Sequence, residues 1–471
     1  MYMFLLLNLY CIFFSQSQII IPFEELSYKK NPERIYKDIE SFYNDQYKTN
    51  IFTIFKIGVP EQNILTFIQT ENCIFLINNQ SICYNKTEYN YNFKNSKTAK
   101  NITNIDGKYF YFKTSLINET IKLCINEECT KEKTMENFQL NLFNGLEESK
   151  ILCSEMGLTL TKGEESAWIR VIYQLKRENL INGLIYTVKY TSDYNGFIYL
   201  GQFPHEYNST NYFIEQQIGD YIVINNDASY ILPNIDFNNI YYKYNNIEKS
   251  IKEKYAIFYM EYGLILGTKN YFDQIQSDFF SKYPEICSLY TYFPTGKNFQ
   301  GIICKAADSF KIEEFPSLYF FIRESNYTFE LNYNDLFKKN GDYYYFLVIF
   351  DQMIISTWKI GKPFLKKYQM TLDIDSKRII FYNTLIKPNS NKDSNGGNSN
   401  KTTIIILIAI GGFIFICGLV YGAFYIGKMI NIHRKKRANE LTDDDFEYTE
   451  KSDNANKNSN KEKGLFKEED S

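Results

Sequence analysis

Few residues in this chain could carry out hydrolysis. The sequence holds two histidines, and His205, in the turn-like stretch Phe203-Pro204-His205-Glu206, stands alone in the part ahead of the C-terminal apolar run. No Gly-x-Ser-x-Gly is present, so a serine triad lacks its nucleophile turn as well as its base. A lone histidine gives zinc no ordinary ligand set. No metal and no cofactor are expected, and His205 reads as a surface turn residue. Cys124-x4-Cys129 reads as a local disulfide rather than half a metal site, provided it lies in an oxidising compartment. The chain has no phosphate-binding loop. Its net charge of -3 and the lack of a basic stripe argue against nucleic acid as a partner. Paired carboxylates remain as the hydrolytic chemistry that this composition supports, one as general base and the other as general acid.

Carboxylates that work together must be held by a scaffold, and the sequence describes one. A chain of 471 residues is too long for one ordinary core, so at least two lobes are expected. Aromatic residues make up 17%, with 41 Tyr and 39 Phe, a bias toward strands. Apolar or alternating runs broken by turn residues predict strands over Phe52–Ile57, Ile64–Ile68, Phe75–Ile77, Leu184–Tyr190, Phe197–Leu200, Ser317–Ile322, Tyr343–Ile349 and Arg378–Tyr382. Helical spacing is clearest over Ala167–Leu180 and then Tyr271–Phe280. The fold class is mainly β.

The two ends have a different character. Met3–Phe14 is an apolar run too short to span a bilayer, followed by Ser15-Gln16-Ser17, which predicts a signal peptide over 1–17, although no positive charge precedes the run. Ile404–Gly427 has no charged residue and is long enough at helical rise to cross the hydrocarbon core. Lys428 and Arg434-Lys435-Lys436-Arg437 follow, the flank expected on the cytoplasmic side. The expected topology is a type I, single-pass membrane protein with its ectodomain lumenal or extracellular. Residues 385–403 form a polar, Gly-containing stalk. Residues 428–471, with the acidic cluster Asp443-Asp444-Asp445-Phe446-Glu447, form a cytoplasmic tail. Of nine cysteines, Cys11 falls in the signal and Cys417 in the membrane run. The odd remainder, Cys73, Cys83, Cys124, Cys129, Cys153, Cys287 and Cys304, lies outside. Acceptor sequons at Asn79, Asn85, Asn101, Asn118, Asn208 and Asn326 lie on the same side, as a glycoprotein requires.

A set of ordered motifs then carries a resemblance. Ile57-Gly58-Val59-Pro60-Glu61-Gln62, the strand after it and Gln69-Thr70-Glu71-Asn72 form the first. Ala256-Ile257-Phe258-Tyr259-Met260-Glu261-Tyr262-Gly263, with Leu264-Ile265-Leu266-Gly267, forms the second. Between and after them come Glu155-Met156-Gly157-Leu158, the Gly196–Gly201 stretch, Cys304 with Phe315-Pro316-Ser317-Leu318, and Trp358-Lys359-Ile360-Gly361-Lys362-Pro363-Phe364-Leu365 leading to Tyr368 and Asp373. In this order they resemble the landmarks of the pepsin-like aspartic proteases (peptidase A1): Ile-Gly-Thr-Pro-x-Gln before Asp-Thr-Gly-Ser in the first lobe, and Asp-Thr-Gly-Thr-Ser in the second. The resemblance covers roughly 50–384. It implies two β lobes, 50–215 and 216–384, with a peptide-binding cleft between them.

In that family one Asp from each lobe shares a proton with the other. Gln69 and Tyr259 occupy those positions here. An amide accepts no proton, and a phenol titrates near roughly pH 10, so the resemblance implies a degenerate site with no catalytic residue in the usual places. Thr70 is retained, but Met260 replaces its counterpart, which implies that the brace between the two loops is half lost. Glu71 and Glu261 replace both motif glycines and form the one conceivable substitute dyad. In so tight a turn each glutamate is expected to point away or to push the lobes apart. Motif decay is the favoured account. Cys287 with Cys304 is the disulfide that the resemblance implies. The segment 18–49, opening Ile19-Ile20-Ile21-Pro22-Phe23, is similar to the family's propeptides and is expected to stay as part of the fold. The chain thus reads as a membrane-tethered pseudoprotease that binds peptide or protein in its cleft. The alternatives are an active aspartic endopeptidase with a non-standard dyad, and a surface glycoprotein that uses the fold as scaffold only.

Overall fold

The computed structural model describes residues 18–25, 39–47, 51–70, 75–78, 91–105, 114–143, 154–158, 160–161, 171–207, 217–222, 230–231, 233–292, 298–351 and 356–383. The chain divides into two units, Met1–Pro388 and Asn389–Ser471, and every described residue lies in the first. Residues 1–17, the stalk, the 404–427 run and the tail lie outside the described residues, among which no helix is long and apolar enough to cross a membrane.

The fold is mainly β, and its two lobes repeat one strand pattern. In the first lobe Ile51–Ile57 turns back into Gln62–Gln69 in antiparallel register, Phe52 opposite Phe67. Gln62–Gln69 then runs parallel to Ser154–Gly157, with Gln69 opposite Gly157. Ser154–Gly157 is antiparallel to Phe75–Asn78, which runs parallel to Glu132–Phe143. The second lobe has the same sequence of pairings. Tyr255–Phe258 runs parallel to Thr357–Ile360, which meets Ile265–Gly267 antiparallel, and that strand runs parallel to Val348–Asp351. The stretch Ile64–Ile68, apolar but for Thr66, follows from this arrangement, because a strand flanked in this way is covered on both faces and all five residues are buried.

Most predicted strands form within a residue or two of their expected bounds. Tyr343–Ile349 is interrupted at Leu347, giving Tyr343–Phe346 and Val348–Asp351, because Leu347 turns its N–H to Leu336 O and its carbonyl to Ile265 N. The helix expected over Ala167–Leu180 is described over Val171–Arg177. It closes through Asn179 in the left-handed region, φ 54°, while 167–170 lie outside the described residues. The second helix is Lys269–Asp278, capped by Thr268.

The segment ahead of the first lobe is woven into the sheets. Ile19–Glu25 pairs with Asn195–Leu200 along its length and with Ile51–Phe52 at its end. The last described strands join the same sheet, with Tyr368–Asp373 beside Ile185–Tyr190 and Arg378–Asn383 beside Tyr368–Asp373. A helix that the sequence reading did not identify, Ile39–Tyr47, presents Phe42, Tyr43, Gln46 and Tyr47 to the second lobe, where all four are buried. Its signal was an i, i+3, i+4, i+7, i+8 stripe, obscured because a polar Gln occupies the i+7 position. Phe42 stacks on Tyr345 at 3.9 Å, and Tyr43 donates to Ile302 O at 2.8 Å. Burial pushes the Tyr43 phenol far above its ordinary pKa, with Tyr345 adding to the shift, so it stays a donor.

Candidate functional site

The turns that end Gln62–Gln69 and Tyr255–Phe258 meet at the junction of the lobes. Thr70, 1% exposed, donates its N–H to both oxygens of Glu261, at 3.3 and 3.2 Å, and its hydroxyl also donates to this carboxylate. Glu261 is 4% exposed. Its side chain therefore neither points away nor wedges the lobes apart. It occupies the junction as an acceptor, and the brace that Met260 cannot supply is made by the next residue. A carboxyl group buried in such a place needs polar partners, and these contacts supply them. Glu71 lies outside the described residues.

Gln69 is held from its own lobe, where its amide donates to Glu155 Oε1 at 3.2 Å and its carbonyl accepts the Leu158 N–H at 2.9 Å. Tyr259 closes the parallel ladder by donating its N–H to Ile360 O at 2.9 Å, and the residue is only 3% exposed. Its ring lies against Tyr262 with centroids 4.8 Å apart, and Tyr262 in turn stacks on Tyr47 of the N-terminal helix at 5.4 Å. Lys359 Nζ sits 5.2 Å from the Tyr259 ring centre and 5.8 Å from that of Tyr262. The position following the second strand is thus covered by aromatic rings and a cation.

Several neighbours hold this turn in place. Tyr190 donates its hydroxyl to Met260 O at 2.7 Å; burial, with the charges of Glu25 and Glu261, drives its pKa well above the ordinary phenol value. Gly263 donates its N–H to Gln46 O at 2.8 Å, so the N-terminal helix closes directly on the turn. Gly361 comes so near that a Cβ there would lie 2.1 Å from Tyr262 O, which explains the glycine after Trp358-Lys359-Ile360. Lys362 next donates its N–H to the same carbonyl at 2.7 Å, and its ammonium reaches Glu25 Oε1 at 2.7 Å in a nearly dry ion pair.

Cys287 and Cys304 face each other across paired strands and are bonded, as are Cys124 and Cys129. Cys73, Cys83 and Cys153 lie outside the described residues. Among the sequon asparagines Asn101 and Asn326 are exposed, the latter in a turn at φ 50°. Asn118 lies half-buried in the strand Thr114–Cys124 with its Oδ1 enclosed. Asn79, Asn85 and Asn208 lie outside the described residues. His205 differs from expectation: it sits in the one-turn helix Pro204–Tyr207, 2.7 Å from Tyr382 Oη and stacked on Phe203. No cluster of metal-ligating side chains occurs among the described residues.

No protein-family model and no curated protein sequence matches the chain. Solved structures do. Conglutin gamma, a basic 7S globulin from lupine seeds, superposes with a TM-score of 0.51 at 10% identity, covering 78% of this chain and 94% of its own. Basic 7S globulin from soybean gives 0.52 at 11%, with 78% and 94% covered. The aspartic proteinase from Irpex lacteus gives 0.50 at 13%, with 78% and 98% covered. Similarity at this identity carries the fold and leaves activity open. The chain has a pepsin-like fold.

Proposed function

We propose that this protein is a pseudoprotease: a membrane-tethered, pepsin-like ectodomain that binds peptide or protein without cleaving it. The observation that carries the reading is the engagement of Glu261. It is the carboxylate brought to the lobe junction among the described residues, and it is buried and bonded to Thr70, where a general base would need access to water. Gln69 and Tyr259 offer no replacement, because an amide does not titrate and the tyrosine is enclosed. Each lost acid or base costs on the order of a hundred- to ten-thousand-fold in rate.

The membrane anchor rests on the uncharged run Ile404–Gly427 and the basic residues after it. The paired cysteines and the exposed Asn101 and Asn326 favour an oxidising, glycosylating compartment, lumenal or extracellular. The leader is removed after Ser17, and the ectodomain stands on the 385–403 stalk.

The test is incubation of the full-length chain, purified in detergent, with denatured protein substrates across acid to neutral pH, with and without a transition-state inhibitor of aspartic proteases. No inhibitor-sensitive cleavage is expected, together with saturable binding of peptides. Inhibitor-sensitive cleavage that disappears in Glu261→Gln would overturn the proposal in favour of an endopeptidase with a non-standard dyad. Absence of any saturable peptide binding would leave the fold as scaffold only.

A further inference from the structure

Beside the Gln46–Gly263 contact lies a pocket of about 240 Å³ whose wall carries four lysines, Lys338, Lys362, Lys366 and Lys367, and two carboxylates, Asp193 and Asp335. Three of them are matched by carboxylates: Lys362 by Glu25 at 2.7 Å, Lys366 by Asp193, and Lys367 by Asp335 at 2.6 Å. Asp335 also accepts the Asn332 N–H at 2.9 Å, and the Lys362 ammonium reaches the Asp193 backbone carbonyl at 3.1 Å as well as Glu25. Lys338 is the exception. It makes no ion pair among the described residues, and its ammonium reaches the Tyr194 hydroxyl at 3.3 Å and lies 5.0 Å from the centre of that ring. A phenol oxygen and a ring face compensate an ammonium only in part. Burial depresses the Lys338 pKa despite the favourable pull of Asp193 and Glu25, which marks a cation short of negative charge.

The geometry points to a binding site for a compact phosphate-type oxyanion in this pocket, with Lys338 as its principal contact and the ammoniums of Lys362, Lys366 and Lys367 around it. Lysine ammoniums are point charges without the planar fork that selects a carboxylate, and a pocket bordered by Lys338 from one strand and by Lys362, Lys366 and Lys367 from one short segment suits a tetrahedral anion. The cavity has room for one such group with water. It shares Gln46 and Gly263 with the contact that seats the N-terminal helix, so occupancy also tightens that helix on the second lobe. The site stands apart from the proposed peptide binding and does not depend on it.

Calorimetric titration of the full-length chain with inorganic phosphate, at constant ionic strength, tests the assignment. Saturable binding to one site is expected, weakened at least about tenfold in Lys338→Gln and Lys338→Met, because one charge-assisted hydrogen bond is lost, and unchanged in the surface control Lys269→Gln. Should either variant fail to fold, acylation of the wild type decides, since phosphate must slow the modification of Lys338. Phosphate binding that is absent from the wild type or undiminished in both variants would overturn the site, as would an acylation rate indifferent to phosphate. Succinate binding in place of phosphate would overturn the ligand class.

Discussion

Thr70 and Glu261, 191 residues apart in the chain, join the two lobes through one carboxylate that accepts both the threonine N–H and its hydroxyl. Removing only the hydroxyl tests what this contact contributes. Thr70→Val should lower unfolding free energy by about 1–3 kcal/mol, the range for a buried polar group that loses its partner, whereas Thr70→Ser should stay close to wild type. In a double-mutant cycle with Glu261→Gln the two effects should be strongly non-additive, because they remove one interaction. Additive losses in chemical denaturation would show that the contact does not stabilise the fold.

The Glu25–Lys362 pair anchors the N-terminal strand to the second lobe from a nearly dry position, with side chains 0% and 9% exposed. Lys362→Met leaves Glu25 buried without its partner and should cost roughly 3–5 kcal/mol. Replacing both, as Glu25→Leu with Lys362→Met, should recover most of that loss, since the desolvation of both charges disappears with them. Thermal unfolding of the single and double variants measures the difference.

The helix Ile39–Tyr47 should behave as part of the core. Gly301 lets Tyr43 lie against the strand Phe299–Lys305, and a Cβ at that glycine would come within 2.5 Å of the ring. Gly301→Ala should therefore destabilise by about 1–3 kcal/mol through overpacking, and Tyr43→Phe by about 1 kcal/mol through loss of the bond to Ile302 O. Limited proteolysis should cut within 39–47 only under conditions that unfold both β lobes. Early release of the helix with the sheets intact would contradict this.

Acid should weaken the fold through two carboxylates. Burial alone would raise Asp193, but the Lys366 hydrogen bond and charge outweigh it, with Lys338 and Lys362 helping, and its pKa ends below the ordinary value. Asp375 is lowered in the same way, burial being outweighed by the hydrogen bonds from Lys176 and the Leu184 N–H. Such groups bind fewer protons folded than unfolded. Their contribution is fully present above the unfolded value of about 3.9 and is lost as pH falls through the lowered folded values. Asp193→Asn with Asp375→Asn should thus be less stable than wild type at neutral pH and lose less on acidification below about pH 4. Denaturant midpoints against pH provide the readout.

The elements of this protein were largely legible in its sequence, because strand periodicity is local. Ile64–Ile68 was legible as a strand, and the run from Trp358 to Leu365 as a landmark of the second lobe, where it folds as a strand end and a short helix opened by Pro363. The motif order was enough to expect two lobes. What resisted reading was every question of partnership. The sequence placed Glu261 in a turn but not its carboxylate against Thr70, and nothing in it singled out Lys338, which the fold sets beside three other lysines already matched to carboxylates. The Ile39–Tyr47 helix lay between these cases, its stripe present yet broken by Gln46, a polar residue that is buried where the helix closes on Gly263. Side-chain spacing along one segment determines which element forms. Which buried polar group finds which donor, across more than a hundred residues, is determined only when the lobes pack and water leaves their junction.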